Sequence, residues 1–221
     1  MKKLTALVLS LSLLLSSACS LHNRVRAIPK AARSPVEAIR DNIGRMTIVL
    51  SGSGREIGFC TAFSVAPNKF MTAAHCVPDA ARDFMGGEYA VQYKVDGVRA
   101  YPLKIDKDRD LAVLLVDLVK PAVVFRETPL MLFEEVNGVG YGYGYTSYLV
   151  TDNKVMLLDF VIMIEGRQSW PGTLFMGGFI GGMSGGVVLD KQGLVVGIVQ
   201  AGTAQVGHGV SVATIKEFLA Q

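Results

Sequence analysis

The sequence is poor in several residue types whose abundance would define other classes of protein. It has three cysteines, three histidines and one tryptophan in 221 residues, which is too little cysteine for a miniprotein held together by disulfides. Its 24 glycines follow no three-residue period, which excludes a collagen-like chain. No basic block is long enough to indicate nucleic-acid binding, and no His, Cys, Asp or Glu cluster has metal-ligand spacing. We therefore expect no nucleic-acid partner, no metal and no cofactor.

The composition is that of a folded protein. Half of the residues are apolar, 19% are charged, and the formal net charge is +3, a balance too apolar and too weakly charged for a disordered chain. The length suffices for one large domain or two small ones with a sizeable core.

The N-terminus has the features of an export signal. Lys2 and Lys3 precede an apolar run over residues 4–15, and three small residues, Ser-Ser-Ala, follow at 16–18. The apolar run is too short for a comfortable membrane-spanning helix. We therefore predict a signal peptide over residues 1–18 and an exported protein.

Cys19 follows this exit directly. Residues 15–19, Leu-Ser-Ser-Ala-Cys, resemble the lipobox of bacterial lipoproteins. The resemblance implies cleavage before Cys19 and lipidation of its thiol, which would anchor the protein to a membrane of the cell envelope, on its periplasmic or cell-surface side. The most typical lipobox has Leu where this chain has Ser16, and Ser16 and Ala18 also suit an ordinary signal peptidase that would release the protein. Lipidation is our prediction, and release is the alternative.

Residues 19–40 are predicted to form a solvated tether. They carry five basic residues against one acidic residue and are interrupted by two prolines. A weaker alternative is that this basic stretch lies on anionic lipid headgroups. Residues 41–221 hold 15 basic and 18 acidic residues, so the predicted folded domain is mildly acidic.

After Asp41 the sequence is typical of an all-β protein. Short runs rich in Val, Ile, Phe and Tyr alternate with Gly, Pro, Asn and Asp. The predicted strands are Met46–Leu50, Phe59–Val65, Phe70–Thr72, Glu88–Tyr93, Val98–Lys104, Leu111–Val116, Gly138–Tyr145, Val155–Ile164, Val187–Leu189, Leu194–Ala201 and Gly209–Ser211. Residues 213–219 have the character of a short terminal helix. The strands form two groups, which favours two antiparallel barrels in series, about 42–125 and 130–221. A single large sandwich would show the same periodicity.

Three short segments carry residues suited to nucleophilic catalysis. They are Thr-Ala-Ala-His-Cys at 72–76, Arg-Asp-Leu-Ala-Val-Leu at 109–114 and Gly-Gly-Met-Ser-Gly-Gly at 181–186. In this order they resemble the trypsin-like (chymotrypsin-fold) serine peptidases. The resemblance implies two six-stranded antiparallel β-barrels with a short C-terminal helix, and hydrolysis of peptide bonds through an acyl-enzyme.

The chemistry needs a nucleophile, a base and a carboxylate behind the base. Ser184, His75 and Asp110 fill these roles in the order that the family uses. Asp110 abuts an apolar run, whereas its neighbours Asp106 and Asp108 better fit a solvated turn. The other histidines are weaker candidates for the base, since His22 lies in the tether. His208 is expected in a late glycine-rich loop, exposed to solvent; the alternative is that it reaches the rim of the substrate pocket and favours an acidic residue there.

The resemblance implies further roles around these residues. The backbone N–H groups of Gly182 and Ser184 would form the oxyanion hole. Cys60 and Cys76 would form a disulfide that brackets the histidine, which an exported compartment permits; two free buried thiols are the alternative. Met183 stands where digestive relatives often have an acid that receives a freed N-terminus, so we expect no activation of that kind.

The specificity pocket is assigned by the same resemblance. It has no acid at its base, which disfavours cleavage after Lys or Arg, and its glycines suggest a small to medium apolar side chain before the cleaved bond. Gly178 is the predicted base of the pocket. The predicted wall that pairs with the substrate backbone is Gln200, Ala201 and Gly202, and Gly209 is predicted on the far wall.

These observations predict an exported, lipid-anchored serine endopeptidase that acts on protein or peptide substrates as a monomer. Two other functions stay open. One is a catalytically silent trypsin-fold lipoprotein used for binding or as a scaffold, which Met183 and the unusual pocket region would allow. The other is an esterase or other acyl hydrolase that uses the same three residues.

Overall fold

The computed structural model describes residues 34–82, 88–161, 163–164, 167–168 and 171–221. The predicted signal peptide, Cys19 and most of the predicted tether lie outside the described residues. Fifteen strands are described: β1 Ile43–Leu50, β2 Glu56–Ala66, β3 Lys69–Thr72, β4 Ala80–Arg82, β5 Glu88–Val95, β6 Val98–Asp106, β7 Leu111–Val116, β8 Glu135–Gly140, β9 Leu149–Phe160, β10 Met163–Ile164, β11 Arg167–Gln168, β12 Gly172–Met176, β13 Val187–Leu189, β14 Val195–Gly202 and β15 Val206–Ser211. The described helices are α1 Pro35–Ala38 and α2 Val212–Ala220, with 3₁₀ turns at Ile39–Asp41, Ala74–Cys76 and Gly142–Gly144.

The first barrel is built from antiparallel neighbours. Its strands follow the order β1-β2-β3-β7-β6-β5, and β5 pairs back onto β1 to close it, while β4 extends the edge of β5. Closure removes exposed sheet edges. Strand β7 is apolar and almost wholly buried, as its sequence indicates.

The second barrel closes in the order β12-β15-β14-β13-β8-β9, with β9 paired to β12. The prediction of two six-stranded antiparallel barrels and a terminal helix is therefore confirmed. The strand predicted over Gly138–Tyr145 is wrong in its second half, because β8 ends at Gly140 and a 3₁₀ turn follows. Tyr143 in that turn has φ 52°, a left-handed conformation that a strand does not allow.

One hydrophobic core joins the two barrels. It combines inward residues of both sheets with the buried face of α2, so that the helix packs against the region between them. Its members include Ile43, Phe63, Met71, Leu111, Val139, Val187, Leu189, Ile198, Ile215 and Phe218.

The folded part begins before residue 41, within the segment predicted to be tether. Ser34 caps α1: its hydroxyl accepts from the N–H of Glu37, and the carboxylate of Glu37 accepts from the N–H of Ser34. Pro35 occupies the first turn, where its missing N–H costs nothing. Ile39 is 5% exposed and belongs to the core between the barrels. The prediction of a solvated tether is therefore wrong for residues 34–40, since a capping box and a core residue fix them.

Within the part of the chain that the structure describes, no helix is long and apolar enough to cross a membrane.

Candidate active site

His75 and Asp110 meet in the first barrel. His75 lies in the 3₁₀ turn that follows β3, and Asp110 directly precedes β7, which pairs with β3. Nδ1 of His75 lies 2.8 Å from Oδ2 and 3.1 Å from Oδ1 of Asp110. This contact leaves Nε2 as the ring nitrogen that can exchange a proton with another group. The His75 side chain is 48% exposed, so it faces an open cleft.

The backbone holds this pair in place. The N–H of His75 donates to Oδ1 of Asp110 over 2.8 Å, and the N–H of Ala74 donates to the Asp110 carbonyl over 3.1 Å. Asp110 itself has φ 53°, a left-handed conformation that Asp tolerates better than most residues. Asp106 instead accepts from the N–H of Arg109 and pairs with its guanidinium, so it stabilises the turn.

Ser184 reaches the same region from the second barrel. Its carbonyl oxygen accepts from the N–H of Thr61 in β2 over 2.9 Å, which ties the serine loop to the first barrel. Its hydroxyl donates to the carbonyl of Gln200 over 3.3 Å. Within the described residues, that is the hydrogen bond the hydroxyl makes, and it is not bonded to His75.

Glycines shape the loop around Ser184. Gly182 and Gly185 have φ of 93° and 79°, a region open to glycine and strained for other residues. The N–H of Gly185 donates to Val199 and that of Gly186 to Met183. Among the described residues, the N–H groups of Gly182 and Ser184 donate to no backbone carbonyl, and their place in an oxyanion hole stays a prediction.

A disulfide joins Cys60 and Cys76 beside this site. Sγ of Cys76 lies 3.9 Å from the Ser184 carbonyl oxygen. The two sulfurs and a His75 nitrogen lie within 4.8 Å of one another, but sulfurs that are joined as a disulfide are not the thiolates that bind metals. Among the described residues, this was the single group of three with metal-ligand proximity.

The predicted pocket residues lie around β14 and β15. Gln200 is buried, Ala201 is half-buried and Gly202 is exposed at the end of β14, while Gly209 is buried in β15. Gly178 is covered by a turn, because a Cβ there would lie 2.1 Å from the carbonyl oxygen of Thr203. Of these residues, Gln200 contacts Ser184 through its carbonyl oxygen; the other pocket assignments and the preference for small apolar side chains stay predictions.

The expectation that His208 is a solvent-exposed loop residue is wrong. His208 is 2% exposed within β15. Its Nδ1 lies 2.6 Å from the side-chain oxygen of Gln200, and its Nε2 lies 3.1 Å from the carbonyl of Phe160. Burial lowers the pKa of His208, and the hydrogen bond to Phe160 and the charge of Asp110 only partly offset it.

This Gln200–His208 pair is a feature that sequence reasoning missed. Gln200 supplies both the side-chain oxygen that contacts His208 and the carbonyl that accepts the Ser184 hydroxyl. The sequence predicts a strand only over Gly209–Ser211, because the glycines on both sides of His208 interrupt the apolar pattern, whereas the observed strand begins at Val206.

Two cavities lie elsewhere on the second barrel. One, of about 570 Å³, is lined by residues that include Glu135, Asn153 and Lys191. The other, of about 420 Å³, is lined by residues that include Arg126 and Lys216. Neither includes His75, Asp110 or Ser184, so the candidate site is an open cleft rather than one of these cavities.

The structure has two closed barrels. One carries a histidine–aspartate pair and the other a glycine-rich serine loop, which is the arrangement of trypsin-like peptidases. Residues 60–198 match the family model of the trypsin-like peptidase domain, and the chain belongs to that family. A search of curated proteins found no significant match.

Solved structures of proteases share the fold. The active form of the Rv3671c protease from M. tuberculosis matches with a TM-score of 0.69 and 20% identity, over 84% of this chain and 82% of that chain. Its inactive form matches with a TM-score of 0.64 and 22% identity, over 84% and 91%. The HtrA-type protease AlgW S227A with tripeptide matches with a TM-score of 0.67 and 16% identity, over 85% and 62%. Family and fold together support a serine peptidase, a hydrolase that acts on protein or peptide substrates.

Proposed function

We propose that the protein is an exported serine endopeptidase that cleaves peptide bonds through Ser184, His75 and Asp110. The observation that carries the proposal is the contact of Asp110 with Nδ1 of His75. It fixes the imidazole so that Nε2 can serve as the base for a serine whose loop is bonded to the neighbouring strand.

In the first half of the proposed reaction, the hydroxyl oxygen of Ser184 attacks the peptide carbonyl carbon. Its proton passes to Nε2 of His75, and the N–H groups of Gly182 and Ser184 stabilise the oxyanion. The carbon–nitrogen bond then breaks as His75 gives that proton to the leaving amine, which leaves an acyl ester on Ser184. Asp110 stabilises the imidazolium that forms in between.

In the second half, water replaces the amine. His75 accepts a proton from the water, whose oxygen attacks the acyl carbon. The bond to Ser184 then breaks, and the proton returns to the serine oxygen. No cofactor is required by these steps.

The Ser184 hydroxyl must turn from Gln200 toward His75 before attack. Catalytic hydrogen bonds often tighten only in the complex with substrate. The carbonyl of Gln200 lies in the wall predicted to pair with the substrate backbone, and a substrate N–H would compete for it. We therefore propose that substrate binding releases the hydroxyl.

The test is hydrolysis of casein and of a short peptide library by the purified protein and by Ser184→Ala. We expect the substitution to lower kcat/KM by about a thousandfold or more. Ser53→Ala is the matched control, because Ser53 is exposed in the turn between β1 and β2 and should leave activity unchanged.

Asp110→Asn is a second, finer variant. Asn tolerates the positive φ at this position, so the fold should persist, while the imidazole loses its carboxylate partner. We expect kcat to fall by roughly 10⁴-fold with an unchanged unfolding midpoint. Equal activity of the Asn variant and the parent protein would contradict the proposed role of Asp110.

The main alternative function is a catalytically silent binding or scaffold protein. The observation that favours it is the hydrogen bond from the Ser184 hydroxyl to the Gln200 carbonyl, because this hydroxyl is not bonded to a base. A fluorophosphonate probe separates the two, because labelling that requires Ser184 indicates an activated hydroxyl. Parallel ester and amide substrates separate a peptidase from an esterase.

We also propose that the protein is exported and held at a membrane of the cell envelope by lipid on Cys19. The proposal rests on the N-terminal sequence alone. Metabolic labelling with a fatty-acid analogue should mark the parent protein and not Cys19→Ser. An unlabelled, soluble parent protein would favour simple release.

A further inference from the structure

Three aromatic side chains are exposed beside the serine loop, and the proposed mechanism does not use them. Phe59 in β2 is 38% exposed, and Tyr143 and Tyr145 after β8 are 62% and 56% exposed. The two tyrosine rings lie edge to face with their centroids 6.2 Å apart. We call Phe59, Tyr143 and Tyr145 the aromatic platform.

Short contacts join the platform to the candidate oxyanion hole. A Cβ on Gly182 would lie 3.0 Å from Cδ2 of Phe59, and a Cβ on Gly144 would lie 2.8 Å from its Cε1. The N–H of Tyr143 donates to the carbonyl of Gly181 over 2.7 Å. The phenylalanine ring therefore covers both glycines, and the tyrosine backbone is bonded to the serine loop itself.

Tyr143 is held in an unfavourable backbone conformation. Its φ of 52° lies in the left-handed region, where a bulky side chain is an outlier, and glycines stand on both sides of it. Strain of this kind persists where the surrounding structure enforces it, and it clusters at ligand sites. Here the strained residue carries a large exposed ring, and its backbone is bonded to the serine loop at Gly181.

The position of the platform indicates which part of a substrate it contacts. Phe59 lies two residues before Thr61, whose N–H binds the Ser184 carbonyl, and it directly precedes Cys60, which is bonded to the neighbour of His75. His75 delivers the proton to the leaving amine in the proposed reaction. The acyl half of the substrate is predicted to pair with Gln200, whose carbonyl accepts the Ser184 hydroxyl. The platform thus lies on the His75 side.

We propose that the aromatic platform binds a large apolar or aromatic side chain on the leaving-group half of the substrate, directly after the cleaved bond. This inference rests on the proposed function and adds a substrate class to it. Aromatic rings prefer offset or edge contacts with apolar and aromatic partners, and three partly exposed rings supply such a surface.

Partitioning of the acyl-enzyme is the sharpest test. The p-nitrophenyl ester of a blocked alanine forms the acyl-enzyme, and phenylalaninamide or glycinamide then competes with water for it. We expect phenylalaninamide to capture the acyl group about tenfold more efficiently than glycinamide. Because both amines meet the same acyl-enzyme, the ratio is independent of how fast that intermediate forms.

Variants assign the preference to the platform. Tyr143→Gly removes the ring and suits the positive φ, so it should fold and should lower the ratio several-fold; Phe59→Ala should do the same. Tyr143→Phe keeps the ring and should keep the ratio. Tyr101→Ala, which removes a ring that is 51% exposed on β6 of the first barrel, is the matched control and should leave the ratio unchanged.

A second measurement does not depend on turnover. Ser184→Ala protein is titrated with two peptides that differ only in Phe or Gly directly after the scissile bond, and we expect tighter binding of the Phe peptide. One outcome separates the two proposals: no acyl-enzyme forms, but the Phe peptide still binds more tightly and this difference requires Tyr143. That outcome would support the aromatic platform and contradict the proposed function. A partition ratio near one, or equal affinity for both peptides, would overturn the platform.

Discussion

At the scale of single residues, the serine loop depends on glycine at position 185. A Cβ there would lie 2.2 Å from Oγ1 of Thr72 and 2.3 Å from the carbonyl of Thr61, and neither of these can move freely, since Thr72 Oγ1 donates to that same carbonyl. We expect Gly185→Ala to lower the free energy of unfolding by about 3 kcal/mol or more, measured by urea denaturation.

Gly97→Ala is the control for this prediction. Gly97 has φ 82°, close to the 79° of Gly185, but no atom lies within 4 Å of its added Cβ. The alanine there should cost about 1 kcal/mol, which is the backbone strain alone. Equal losses at the two positions would show that the close contacts at Gly185 do not matter.

His208 should make stability depend on pH. Its folded-state pKa lies below the ordinary value of 6.5, so on acidification the unfolded chain binds a proton before the folded protein does. The contribution of His208 to the free energy of unfolding should therefore be fully present above about pH 6.5. It should decrease as the pH is lowered through and below that value. Urea denaturation at about pH 7.5 and about pH 5 measures this change.

The variant His208→Gln isolates the contribution of this one imidazole. It removes the titrating group and keeps a polar side chain beside Gln200. The decrease in stability between the two pH values should be smaller in the variant than in the parent protein. An identical decrease in both would assign the pH dependence to other groups.

The sequence predicts candidate residues well where chemistry restricts the residue type. His75, Asp110 and Ser184 stand out because a base, a carboxylate and a glycine-flanked hydroxyl are rare in this order. His208 was misjudged because local sequence shows its glycine neighbours and not Gln200 and Phe160, which strand pairing brings to it. Burial of a single polar residue is decided by such distant partners.

At the scale of elements, the disulfide fixes the turn that carries His75 to strand β2. It closes a loop of 16 residues, and a loop of this size is worth about 3 kcal/mol through restriction of the unfolded chain. We expect the double variant Cys60→Ala, Cys76→Ala to unfold with a free energy lower by about that amount.

Chemical denaturation of the parent protein and the double variant measures this difference. Cys19→Ala is the control, because Cys19 is not part of the disulfide and its loss should not change the unfolding midpoint. A double variant as stable as the parent would show that the crosslink contributes nothing to the folded state.

Elements were predictable to the extent that their residues alternate or cluster. Strand β7 is a continuous apolar run and was predicted with its observed ends. Strand β12, Gly172–Met176, was missed because glycine and proline surround its few apolar residues. The end of β8 was missed because Gly-aromatic repeats fit a strand as well as the observed turn; the left-handed Tyr143 becomes visible only in three dimensions.

At the scale of the whole molecule, the first described residues are part of the folded body. Ile39 packs in the core between the barrels, whereas its neighbour Arg40 is exposed. We expect Ile39→Ala to lower the free energy of unfolding by about 2–4 kcal/mol and Arg40→Ala by no more than about 0.5 kcal/mol. Thermal or urea denaturation measures both changes. Equally small losses of stability in the two variants would indicate that residues 34–40 are not part of the folded domain.

The bond between Thr61 of β2 and the Ser184 carbonyl has a mechanical consequence. Ser184 belongs to the second barrel by sequence, yet its carbonyl oxygen accepts a hydrogen bond from a strand of the first. If the barrels move apart, this hydrogen bond must break, and Ser184 is displaced before either barrel unfolds. Enzymatic inactivation on heating should thus precede or coincide with global denaturation and never lag behind it.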